Sequence, residues 1–177
     1  MLIPAPKSSL LLLIDFQTRL APAIEDAAAA IANARRLAEG AVLLGVDIVV
    51  TEQNPDKLGP TVPELAEFAG AAVAKMAFSA VAAPNFPKDK LKDCAIVVAG
   101  FEAHVCVMQT VLGLLGEGRP VFVVTDAIGS RRADSKTTAL RRAESCGAGI
   151  VTSEMVLFEW LRAADHPRFR DISRLVK

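Results

Sequence analysis

The sequence predicts an α/β fold: a three-layer α/β/α sandwich around a six-stranded, mostly parallel sheet. Short apolar runs of strand length alternate with longer stretches of helical period, the signature of βαβ units. The composition suits such a sandwich. Of 177 residues, 52% are hydrophobic, yet only 5% are aromatic and none is Tyr, so Ala, Val, Leu and Ile must build the core. Six strand candidates joined by helices imply right-handed crossovers, with ligands at the carboxyl ends of the strands.

Taken in order, residues 10–14 (LLLLI) form the first strand, and residues 24–44 form a long helix with Ile31, Leu37 and Val42 near one stripe. Residues 47–51 (DIVVT) form the second strand. Asn54-Pro55, Gly59-Pro60 and Pro63 mark a loop over 55–63, followed by a short helix at 64–68 and a strand at 71–74. A further loop at 84–87 precedes a buried strand at 95–99 and a helix at 105–117. A strand at 121–125, a helix at 134–146 and a short strand at 149–151 follow. Two helices, near 153–163 and 168–176, close the chain, with Ser153 and Glu154 at the start of the first as its cap. No repeat, low-complexity tract or linker divides the chain, so residues 1–177 read as a single domain.

Twenty basic residues balance twenty acidic ones, without the basic excess of a nucleic-acid partner. Cys94, Cys106 and Cys146 are an odd number without CxxC spacing, which speaks against a disulfide framework and for a reducing, cytoplasmic location. The apolar run before Asp15 is too short for a signal segment or a membrane span. No GxGxxG follows a predicted strand, and GxxxxGK[ST] and GxSxG are absent.

Chemistry concentrates where apolar runs end. Asp15 directly follows LLLLI, and burying a carboxylate there is costly unless it has partners. Lys75 follows GAAVA, and Cys106 lies just inside the helix after AIVVAG. A thiol at a helix N-terminus beside a lysine has its thiolate favoured, which makes an activated nucleophile. Each residue also has a plainer role: Asp15 as a turn cap, Lys75 as a surface cation with a buried stem, Cys106 as a small core hydrophobe.

LLLLIDFQTRL, VAKMAFSA and VVAGFEAHVCVMQTVLGLLGEGRPVFVVTDAIGSR resemble the three signature stretches of the isochorismatase-like cysteine hydrolases. The likeness is closest to isochorismatase-domain-containing proteins, most of them without an assigned substrate. It implies Cys106 as nucleophile, Asp15 as general acid/base and Lys75 as the charged orienting residue. It also implies a cis peptide between Phe101 and Glu102, and an oxyanion hole made by the backbone N–H groups of Glu102 and Cys106. The reaction implied is hydrolysis of a small amide through a thioester, without a cofactor, in a homo-oligomer. Phe16, Glu52, Gln53, Phe78 and Phe101 are candidate pocket residues, with packing or turn polarity as their alternative. Nicotinamidase members carry an Asp-x-His metal motif where this chain reads Thr51-Glu52-Gln53-Asn54, so no metal is expected. True isochorismatases lack the nucleophilic cysteine. His104 is expected to point away from Cys106, and Met76 and Met108 to fill the core. Two rival readings remain: a redox-sensitive cysteine stress protein, to be preferred if Lys75 lies far from Cys106, and an oligomeric binding or scaffold protein.

Overall fold

The computed structural model describes residues 3–177. Strands β1 (Ser9–Ile14), β2 (Asp47–Gln53), β3 (Val73–Lys75), β4 (Ala95–Phe101), β5 (Val121–Gly129) and β6 (Gly149–Val151) form one sheet in the order β3-β2-β1-β4-β5-β6. Every pairing is parallel, so the expectation of a mostly parallel sheet is met in full. The helices are α1 (Ala27–Leu44), α2 (Pro55–Leu58), α3 (Ala66–Ala69), α4 (Met108–Gly116), α5 (Ala133–Ser145), α6 (Ser153–Leu161) and α7 (Phe169–Leu175).

The period of two along β1 splits its side chains between two cores. Leu11 and Leu13 pack with Leu37 of α1 and Trp160 of α6, while Leu10, Leu12 and Ile14 pack with Val111 and Leu114 of α4 and Ala139 of α5. All five are fully buried. Each contributes roughly 1.5–3 kcal/mol, enough together to carry an expensive polar residue at the end of the strand.

Most elements lie within a few residues of their expected limits, and the departures have local causes. Helix α1 begins at Ala27 because Asp26 takes a left-handed conformation after a 3₁₀ turn at Ala21–Ala23. Val42 falls outside the buried stripe of Ala34, Leu37, Ala38 and Ala41 and is 63% exposed. The cap of α6 is Thr152, whose hydroxyl accepts the Met155 N–H at 3.3 Å, and not Ser153. Ser153 instead donates its N–H and hydroxyl to the Asp126 carboxylate at 2.8 and 2.7 Å. Residues 55–63, expected as loop, contain α2 and the start of a 3₁₀ turn. Strand β3 lies slightly later than expected, so Lys75 is its last residue. Trp160 is core, whereas Met155 and Phe158 of the same helix remain exposed. Met108 fills the core as expected, but Met76 is 72% exposed. Among the described residues, no helix is long and apolar enough to cross a membrane.

Gly100 of β4 lies tightly against β1. The β4–β5 register shifts between Val98 and Gly100, and a Cβ at Gly100 would lie 2.5 Å from the Ile14 carbonyl oxygen. Gly100→Ala should therefore lower the unfolding free energy by about 1–3 kcal/mol. Gly116→Ala, whose added Cβ meets nothing within 4 Å, should leave it unchanged or slightly raised in the same denaturant titration.

Candidate active site

Strand order reverses between β1 and β4, which opens a crevice at their carboxyl ends. Four chain segments deliver polar groups there. Asp15 follows β1 and is fully buried, with φ 55°, a left-handed conformation that Asp tolerates better than most residues. Its Oδ1 accepts the Thr51 hydroxyl at 2.7 Å, and its Oδ2 accepts Lys75 Nζ at 2.7 Å. Lys75 reaches across the end of β2 to make that pair. Its ammonium also donates to Gln53 Oε1 at 2.7 Å and to the Phe78 carbonyl at 3.1 Å, with the Ala77 carbonyl at 3.4 Å. Neither member of the ion pair exposes any side-chain surface.

Gln53, taken from the sequence as a pocket residue, is thus a strut for the lysine. Its Nε2 donates to the Met76 carbonyl at 2.9 Å, and its backbone N–H donates to Gln17 Oε1 at 2.7 Å. Gln17 in turn donates Nε2 to the Gln53 and Gly59 carbonyls. Glu52 accepts the Thr61 N–H and hydroxyl at 2.7 and 2.8 Å, latching the loop after α2. Phe16 and Phe101 are both fully buried, with ring centroids 4.6 Å apart, so they pack beneath the site and do not line it. Phe78 is 50% exposed and stands at the rim.

Cys106 lies in a π turn (Ala103–Val107) that leads into α4, and it is 5% exposed. Thr110 accepts the Ala80 N–H at 2.9 Å and donates to the Cys106 carbonyl at 2.7 Å, which ties the loop after β3 to the thiol's turn. Lys75 does not lie far from the sulfur: the charges of both Asp15 and Lys75 act on the thiol. The expected thiolate is not the resting form. Burial pushes the Cys106 pKa up to about 12, the Asp15 charge adds to that, and the Lys75 ammonium only partly opposes it.

Glu102 joins β4 to the π turn with φ 54° and ψ 69°. The Phe101–Glu102 peptide is trans, contrary to the cis bond that the resemblance implied: no cis peptide occurs among the described residues. The left-handed turn at Glu102 makes the change of direction. The Glu102 carbonyl accepts the N–H groups of Val105 and Val107 at 2.9 and 3.3 Å. Its carboxylate is gripped through Oε1 by Arg131 Nε. His104 turns to the end of β5, with Nδ1 3.1 Å from Ser130 Oγ and 3.4 Å from Glu102 Oε2.

Thr51, Gln17 and Arg131 were not singled out by sequence reasoning. The one signal for Thr51 is its place beside Ile14 in the parallel register, a hydroxyl ending an apolar strand next to Asp15. Among the described residues, no cluster of three or more His, Cys, Asp or Glu side chains is arranged to hold a metal.

The isochorismatase domain family matches residues 9–155. Mouse isochorismatase domain-containing protein 2A is 38% identical over 173 residues, which cover 97% of this chain and 84% of the relative. The structure named as MAR1 ribonuclease from Caenorhabditis elegans superposes with a TM-score of 0.90 at 35% identity, covering 98% of this chain and 92% of that one. YcaC from Pseudomonas aeruginosa, solved with hexane-2,5-diol and covalent acrylamide, gives 0.87 at 28% identity, covering 96% and 89%.

Two outcomes follow from the charges. Lys75→Ala strands a buried carboxylate and should cost about 3–5 kcal/mol in chemical denaturation, whereas the double variant Asp15→Asn/Lys75→Met should recover much of that loss. A folded thiol held near 12, against an ordinary value of 9, keeps its proton when the unfolded chain has lost it. Its contribution to stability is complete below about pH 9 and declines as pH rises towards about 12. In the free protein at pH 8, iodoacetamide should therefore alkylate exposed Cys146 at least about 10-fold faster than Cys106, as read by site-resolved mass spectrometry.

Proposed function

The chain belongs to the isochorismatase family, and on that premise we propose that it is a cysteine hydrolase of small amides, with Cys106 as nucleophile, Asp15 as general acid/base and Lys75 as the orienting cation. One observation carries the reading: the buried Asp15–Lys75 pair lies at the point where strand order reverses, with both its charges acting on the Cys106 thiol.

The sequence of steps follows from the protonation states. The thiol proton passes to Asp15 as the sulfur attacks the amide carbon, so charge builds on the carbonyl oxygen and not on a desolvated sulfur. The backbone N–H groups of Glu102 and Cys106 receive that oxyanion. Glu102 leads in its left-handed conformation into the turn that carries Cys106, so both N–H groups belong to one short segment at the end of β4. The C–N bond then breaks, Asp15 returns the proton to the leaving amine, and water cleaves the thioester with Asp15 again as base. Lys75 holds the carboxylate in line throughout.

The Pseudomonas YcaC structure holds covalent acrylamide, an adduct that forms at the alkene carbon and keeps its amide, so it supports a site that admits a small amide beside a reactive side chain and not amide cleavage itself. Ribonuclease activity, named for the Caenorhabditis structure, draws no support from the zero net charge of this chain. Self-association belongs to the same proposal, because Met76 and Phe78 remain 72% and 50% exposed beside the site, apolar area that a second copy would cover. Free Cys94, Cys106 and Cys146 support a reducing compartment such as the cytoplasm.

The test is incubation with a panel of small amides and amidines, followed by intact-mass detection of an acyl adduct on Cys106. Cys106→Ala should abolish adduct and turnover, and Asp15→Asn should lower turnover by at least about 10³-fold. Turnover retained in Cys106→Ala would overturn the covalent mechanism.

A further inference from the structure

We infer that Arg131 is a positioning residue for the oxyanion site, acting through the side chain of Glu102 to hold that residue's backbone in its left-handed conformation. The inference rests on the function proposed above.

Glu102 is a residue for which this conformation is costly, on the order of 1–2 kcal/mol. Its side chain is longer than those of Asn and Asp, which stabilise such a turn by local hydrogen bonds. Its anchor comes from elsewhere. Arg131 is the second residue beyond β5, whose end lies beside that of β4 through the Phe101–Gly129 pair. The Arg131–Glu102 ion pair therefore clamps the ends of two adjacent strands.

The two partners sit in different surroundings. Glu102 is 8% exposed, whereas the Arg131 side chain is 60% exposed and adds little packing to the core. The carboxylate is also held at a cost: Oε2 is buried without a hydrogen bond, with only the His104 ring 3.4 Å away. A fold that needed only a helix cap at this point would be served by a short polar or glycine residue. A long, half-satisfied carboxylate makes sense as a lever on the backbone to which it is attached. That backbone carries one oxyanion N–H and leads through the π turn to the other, on Cys106. Oxyanion donors must sit about 2.7–3.1 Å from the developing charge, so a small drift of Glu102 weakens the site without unfolding it.

The probe is p-nitrophenyl acetate. The Cys106 sulfur bonds to the acetyl carbon, the ester C–O bond breaks to release p-nitrophenolate, and the thiol proton goes to Asp15. Release is followed at its visible absorbance and the acetyl group located on Cys106 by intact mass. Losing one donor outright costs about 10²–10³-fold, so a displaced donor in Arg131→Ala should lower kcat for acylation by about 10–100-fold with KM nearly unchanged, and the melting temperature should fall because the buried Glu102 carboxylate loses its partner. Arg131→Lys, which keeps the charge, should recover most of the rate. In a Glu102→Gly background, where glycine takes the left-handed region freely, Arg131→Ala should have no further effect. Wild-type rates in Arg131→Ala, or an undiminished effect of Arg131→Ala in the Glu102→Gly background, would overturn this inference alone. A wild-type protein that forms no acetyl-Cys106 would overturn it together with the proposed function.

Discussion

A carboxylate and an ammonium 2.7 Å apart, with no side-chain surface open to water, are the constraint around which this structure is arranged. Taking both charges out of water costs several kcal/mol each, and their mutual attraction repays it only when the remaining donors and acceptors are also satisfied. The neighbourhood meets that condition from the end of β2 and the loop after β3. Thr51 serves the second oxygen of Asp15, and Gln53 and the Phe78 carbonyl serve the remaining protons of Lys75. Gln17 then fixes Gln53. The fully buried aliphatic run of residues 10–14 supplies the favourable term that makes the arrangement affordable.

The same burial governs the thiol. A sulfur with 5% exposure, beside a carboxylate, favours its neutral form even with an ammonium nearby. Such a cysteine is guarded against adventitious oxidation and alkylation, whose rates follow the thiolate. Activation must then be tied to the arrival of an acceptor for the negative charge. This places the weight of the proposed chemistry on the backbone donors at Glu102 and Cys106, and on whatever holds those donors still.

Much of this was legible in the chain. Alternating apolar runs predicted the six strands, and all six are present near their expected places. Asp15, Lys75 and Cys106 stood out because each puts a polar or reactive group where an apolar run stops. Other expectations failed for physical reasons. The identity of Phe16 and Phe101 as aromatics next to the site suggested a pocket wall, but their orientation depends on the pairing of two distant strands, which turns them against each other. The helix-end argument for a thiolate weighed the dipole and the lysine without the desolvation, which depends on how much protein surrounds the sulfur.

By itself the sequence determined the α/β architecture and the three segments that converge at one sheet edge, because periodicity and the polarity at strand ends are local properties of the chain. Only the tertiary structure decided which polar groups touch. The Thr51 hydroxyl on Asp15, the Gln53 amide on Lys75 and the Arg131 guanidinium on Glu102 each join residues from separate segments. Strand order, register and the direction of each side chain create those contacts, and burial sets the charge state of the thiol among them. These follow from how the strands lie beside one another, which no single segment of the chain encodes.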